Sequence, residues 1–287
     1  TLDFFQQFAD RYDAHRGLAY LQVGFGLWGE YHLYNTTADR HEEELGVNFP
    51  RIAFQGDFFE HLDTTFQALH WSISIDAGEE VKIGPFRDYP ALLDIDFGLF
   101  DDSFMSRWHK TYNEQRWKFF GPQRYERSPA GGEFTQDDRE NKRVLTQDGV
   151  NGESFASFCE RFHISYMMGD NQIGHMRKGW FESRADHRSR IEQRIKQASL
   201  SCGYKFEITE VSRTEGQTRI RVRNVGTAPI YYDAFVAIDQ LRSEESLTTL
   251  LPGMERVYTV DTSEQGEVSI ECDRLLDSQK IPFQSSY

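Results

Sequence analysis

The chain has 287 residues, with 32 Lys and Arg against 46 Asp and Glu, and a formal net charge of −14. That length is enough to bury a sizeable core, and that acidity makes a nucleic-acid or anionic-membrane surface a poor partner. No apolar run reaches the roughly 18 residues that a membrane span requires. Aromatic residues make up 14% of the chain, 23 of them Phe, and nearly all the Phe are expected in the core. The chain starts at Thr1 without a methionine, so its true start is expected to lie upstream.

Leu2 to Asp13 places Leu2, Phe4, Phe5, Phe8 and Tyr12 at helical spacing and reads as an amphipathic helix. Leu18 to Val23 is a short apolar run of the kind a buried parallel strand shows. Gly24 and Gly26 follow, then Trp28, Glu30 and His32, an aromatic face, a carboxylate and an imidazole within five positions. Further buried-strand candidates are Arg51–Gln55, Leu92–Leu99, a short one entering Gly131, and His163–Met167, with residues 72–76 as one more. Phe58 to Leu69 reads as a helix between them. Trp108 to Glu126 has no clean period; it suits a long loop over a cleft, or a surface helix with Trp117 tucked inward. Glu153 to Arg161 reads as a short helix. Ser183 to Ser199 reads as a longer one, with Arg188/Glu192 and Glu192/Lys196 pairs.

From Tyr204 the pattern changes to period two, punctuated by Gly216, Gly226, Pro229, Pro252 and Gly266, which is the rhythm of a β-sandwich. The boundary is therefore expected near residue 200, giving units 1–200 and 201–287. In the sandwich, Arg219, Arg221 and Arg223 should face solvent while Ile220, Val222 and Val225 face inward, with a slip of the alternation near Gly226. The three cysteines, Cys159, Cys202 and Cys272, have no metal-ligand spacing. Cys202 and Cys272 flank the presumed sandwich, where they either bridge or stay as free buried thiols.

Gly26-x-Trp28-Gly-Glu30-x-His32 after a buried strand resembles the signature of a bacterial family of glycosidase-like proteins of unknown function. Four later stretches resemble it in order: Phe97–Phe104, Gly131–Phe134, His163–Tyr166 and Arg223–Tyr232. Tyr31 departs from that family, which more often has a second Trp there. The resemblance implies a (β/α)8-type barrel followed by an antiparallel, immunoglobulin-like β-sandwich. The Trp28–Glu30 strand would be about the fourth of eight. With five or six strand candidates, the barrel would lack its first strands in this chain, and another chain or segment would complete it.

The resemblance also implies a carbohydrate-active function in a secreted, periplasmic or cell-surface bacterial protein. Two carboxylates are what glycosidic hydrolysis needs. By the pattern of the large clan of retaining glycosidases, Glu30 is the expected acid/base and Glu133, in Gly-Gly-Glu-Phe, the expected nucleophile. Trp28, His32, Tyr166 and Asp170 are expected to bind substrate. Asp101 and Asp102 would hydrogen-bond sugar hydroxyls or cap the next helix, and Asp57 and Asp96 are second-tier members. No metal or cofactor is expected, because the chain has no His-Glu-x-x-His, cysteine cluster, serine elbow or phosphate loop. The alternative is a glycan-binding protein or an interaction module that keeps the cleft without the chemistry.

Overall fold

The computed structural model describes residues 1–26, 30–31, 45–47, 49–78, 84–169, 172 and 184–286. Helix α1 (Leu2–Tyr12) leads to strand β1 (Tyr20–Val23), then α2 (Ile52–Thr65), β2 (His70–Ser74), β3 (Gly98–Phe104) and α3 (Glu114–Phe119). Strand β4 (Ala130–Phe134), α4 (Asp138–Asn141), α5 (Phe155–Phe162) and α6 (Arg184–Ser199) complete the first unit. The four strands pair in parallel, in the order β1-β2-β3-β4.

Alternation along these strands divides the sheet into two faces. Trp71 and Ile73 of β2 and Leu99 of β3 turn outward into a hydrophobic cluster with Phe58, Phe59 and Leu62 of α2. Phe59 is fully buried, and its ring lies 6.0 Å from Trp71, 5.6 Å from Phe86 and 6.2 Å from Phe97. The other face carries Tyr20, Gln22, Ser72, Ser74, Gly98, Phe100 and Gly131, mostly small or polar residues.

The expected (β/α)8-type barrel is corrected by this topology: the described residues of the first unit form one open sheet of four parallel strands. Arg51–Gln55, expected as a strand, is the N-cap and first turn of α2, because Phe54, Phe58 and Leu62 continue one helical stripe. His163–Met167 does not become a fifth strand. Only two isolated parallel bridges, Ala130 with Ile164 and Glu133 with Met168, tie that segment to β4. His163 ends α5 as its C-cap in the left-handed region at φ 52°, so the extended segment begins only after it.

The second unit contains β5 (Phe206–Thr214), β6 (Gln217–Asn224), β7 (Ala234–Ile238), β8 (Leu241–Arg242), β9 (Glu255–Val260), β10 (Val268–Cys272) and β11 (Phe283–Ser285). They form sheets in the orders β11-β5-β6-β9 and β10-β7-β8 around a separate hydrophobic cluster. The expectation of an all-antiparallel sandwich is corrected at one edge, where β11 runs parallel to β5. In β6, Ile220 and Val222 are buried and Arg219 and Arg223 exposed, as the alternation predicts. The alternation runs on without the expected slip, so that Asn224 is buried and Val225, expected inward, is exposed. Asn224 stays buried because its Nδ2 donates to the Ala228 and Leu250 carbonyls while its Oδ1 accepts from the Gly226 amide.

The two units meet through Tyr231 and Tyr232. The Tyr231 hydroxyl donates to the Tyr125 carbonyl at 2.7 Å, and the Tyr232 hydroxyl donates to that of Ala19. Two histidines complete the joint. His70 donates through Nε2 to the Tyr231 carbonyl at 2.9 Å, and His163 donates through Nδ1 to that of Thr227 at 2.8 Å. Burial pulls both imidazoles below their ordinary value. The carbonyl bonds oppose it in each case, as do Asp96 near His70 and Glu126 near His163, whereas Arg274 adds to the depression at His70.

A histidine whose folded pKa is depressed binds fewer protons folded than unfolded. The stability it allows is complete above its unfolded value of about 6.5 and is lost as pH falls toward the folded value. Thermal melts between about pH 7.5 and 5.5 should therefore show stability falling with acidification, and the double variant His70→Gln/His163→Asn should flatten that slope. An unchanged slope in the double variant would remove these histidines as its cause.

Candidate functional site

Parallel α/β sheets offer ligands the crevice beyond the carboxyl ends of their strands. In this sheet every strand delivers a carboxylate toward that edge: Glu30 in the turn after β1, Asp76 after β2, Asp101 and Asp102 in β3, and Glu133 in β4. Glu30 is held close to the end of β1, because the neighbouring Tyr31 amide donates to the Phe25 carbonyl at 2.8 Å. Tyr31 itself turns into the core, 2% exposed, with its ring 5.7 Å from Phe25 and 6.3 Å from Phe59.

Glu133 is half-buried and is the second-last residue of β4. It shares the inner face of that strand with Gly131. A Cβ at Gly131 would lie 2.4 Å from the Tyr166 ring, so the glycine exists to admit that ring. Gly132, at φ 142°, faces the other way, and a Cβ there would lie 2.0 Å from the Asp101 carbonyl oxygen. What approaches these two glycines is Tyr166 and the backbone of β3.

Tyr166 reaches across the whole inner face. Its hydroxyl accepts from Gln22 Nε2 of β1 at 2.8 Å, and its ring stacks on Tyr20 with centroids 5.1 Å apart at 25°. Tyr20 in turn stacks on Tyr232, at 6.2 Å and 14°. Burial pushes the Tyr166 phenol above its ordinary value, so it remains a neutral hydroxyl across the physiological range. The sheet is thus curled enough for one tyrosine side chain, carried beside β4, to touch β1. Tyr20, the first residue of β1, and Tyr232 lie toward the strand N-termini, opposite the carboxylate-bearing edge.

Asp101 and Asp102 have opposite fates. Asp101 is fully buried on the outer side and accepts from the Ser103 amide at 2.9 Å, from Asn113 Nδ2 at 2.9 and 3.1 Å and from Trp117 Nε1 at 3.3 Å. It anchors the segment after β3 and has no surface left for a sugar. Asp102 falls by alternation on the inner face with Phe100, half-buried, on the strand next to Glu133. A register shift between Asp101 and Phe104 sets two residues of β3 against Glu133.

Asp57 is exposed on α2, away from the strand ends. Asp96 is exposed just before β3, at the opposite edge, and pairs with Arg127 at 2.8 Å. Trp28, His32 and Asp170 lie outside the described residues. Sequence reasoning passed over Asp76, which is buried and paired with Arg116 of α3 at 2.8 Å. Its signal was available in Ser72-Ile-Ser-Ile-Asp76, an alternating run ending on a carboxylate. It also passed over Trp108 and Tyr112, which are 54% and 55% exposed with ring centroids 6.0 Å apart. Their segment is tied to the exit of β4, since Glu140 pairs with Arg107 at 3.3 Å and accepts from the Thr135 hydroxyl.

Among the described residues no group of His, Cys, Asp and Glu is arranged to hold a metal ion, and no helix is long and apolar enough to cross a membrane. No protein-family model and no curated protein matches this chain.

Asp101→Asn replaces an acceptor by an amide that faces the donors of Asn113 and Trp117. It is expected to lower stability by about 2–3 kcal/mol, read from the denaturant midpoint. A loss below about 0.5 kcal/mol would show that Asp101 does not anchor this segment.

Proposed function

We propose that this protein hydrolyses a glycosidic bond in an oligo- or polysaccharide at the carboxyl edge of the parallel sheet. Glu30 acts as acid/base and Glu133 as nucleophile. The observation that carries this reading is the span of Tyr166 from Gly131 of β4 to Gln22 of β1. A sheet curled that far draws the end of β1, followed by Glu30, and the end of β4, which carries Glu133, nearer to each other, which supports their acting as a pair. The resemblance of Gly26-x-Trp28-Gly-Glu30-x-His32 and Gly131-Gly-Glu133-Phe to glycosidase-like proteins supports the same pair.

In this mechanism Glu30, protonated, donates to the glycosidic oxygen as the bond to the anomeric carbon breaks. Glu133 attacks that carbon and forms a glycosyl ester, which water, deprotonated by Glu30, then hydrolyses. Asp102, on the same face as Glu133, accepts hydrogen bonds from sugar hydroxyls. The exposed Trp108 and Tyr112 rings offer apolar faces on which a flanking sugar can stack.

The test is release of reducing ends from a glycan panel by the full chain, beside Glu30→Gln and Glu133→Gln. Each substitution is expected to lower turnover by about 10²–10⁴-fold while binding of the same glycan persists. Turnover within tenfold of the parent in either variant would remove that residue from the chemistry. Glycan binding by the parent without turnover would assign a binding protein instead.

A further inference from the structure

Sequence position pairs Cys202 with Cys272, but the fold pairs it with Cys159. Cys159 lies in α5, fully buried in the first hydrophobic cluster, and Cys202 follows the end of α6. Their Sγ atoms are 3.7 Å apart, and all three cysteines are free. That separation is van der Waals contact between two thiols, which a disulfide bond would close to roughly 2.05 Å. Cys272 sits on β10, packed against the second cluster.

The two sulfurs differ in access. Cys202 is half-buried and lines a cavity of about 440 Å³ with Tyr166, Met167, Gln172 and Ser199. Cys159 has no exposed surface and lies behind it. An accessible thiol backed by a buried one at contact distance is the arrangement that thiol–disulfide exchange needs, one sulfur to meet the oxidant and one to resolve the product.

We propose that Cys159 and Cys202 are an oxidisable dithiol, a modification site at which a small disulfide oxidant such as oxidised glutathione generates an intrachain bridge. Cys202 loses its proton, and its thiolate attacks one sulfur of the oxidant, forming a mixed disulfide and expelling the first glutathione thiolate. Cys159 then loses its proton and attacks the Cys202 sulfur, expelling the second. Two protein thiols give up two electrons and two protons, and one glutathione disulfide becomes two glutathione thiols. Burial pushes the Cys159 thiol up, so its attack quickens as pH rises. The bridge ties α5 to the start of the second unit and encloses the segment that carries Tyr166.

The experiment incubates the folded full chain with oxidised glutathione, counts free thiols and maps the linked peptides. Free thiols should fall from three to one, with Cys159 joined to Cys202. The melting temperature should rise by about 5–10 °C, reversed by dithiothreitol. Cys272→Ser should form the same bridge, and Cys159→Ser should stop at a glutathione adduct on Cys202. A bridge that includes Cys272, a stable glutathione adduct on the parent chain, or three thiols that survive prolonged oxidation would each overturn the assignment. Mapping of the parent chain decides the matter even if a variant fails to fold.

Discussion

A parallel sheet must be covered on both faces, because strands with helices on one side leave a second face that water would otherwise meet. Here that second face is covered by tyrosines. Tyr20 belongs to β1, Tyr166 swings in from beside β4, and Tyr232 comes from the second unit. Tyrosine suits the place because its ring fills volume while its hydroxyl reaches a polar partner. The Tyr166 hydroxyl finds Gln22 and the Tyr232 hydroxyl finds the Ala19 carbonyl. The curl of the sheet and part of the joint between the units rest on this stack.

The candidate site follows from the same constraint. With tyrosines toward the strand N-termini, the carboxylates lie at the other edge, held at two levels. Asp76 and Asp101 are buried and bound to α3 and the segment before it, through Arg116 in one case and Asn113 and Trp117 in the other. Glu133 and Asp102 occupy the inner face. The buried pair sets the geometry of the strand ends, and the inner pair meets whatever enters. Such a division keeps the inner-face carboxylates on rigid strands, with buried neighbours supporting the strand ends.

Much of this was legible in the residues. The apolar run before Gly24 marks β1, Gly131-Gly132 marks β4, and the alternation of Arg219 to Arg223 fixes the inward face of β6. The strand count was not legible, because a short apolar run has the same appearance in a strand and in a helix. Arg51–Gln55 became the start of α2 once Phe54, Phe58 and Leu62 found a common face. Adjacent aspartates cannot be told apart in sequence either. Asp101 is still in register with Gly132 on the outer face, whereas Asp102 is the first residue of the register shift that follows, opposite Glu133. Cys202 met Cys159 because α5 and the end of α6 pack together, a contact with no local signature.

Tyr166 ties the two outer strands of the sheet together across its inner face. A double-mutant cycle between Gln22→Ala and Tyr166→Phe measures that tie, with unfolding free energies taken from denaturant melts of the parent, both single variants and the pair. The account predicts a coupling energy of about 1 kcal/mol, the worth of one partly buried hydrogen bond. Additivity within about 0.3 kcal/mol would contradict it, leaving β1 and β4 uncoupled and the pairing of the two glutamates without that support.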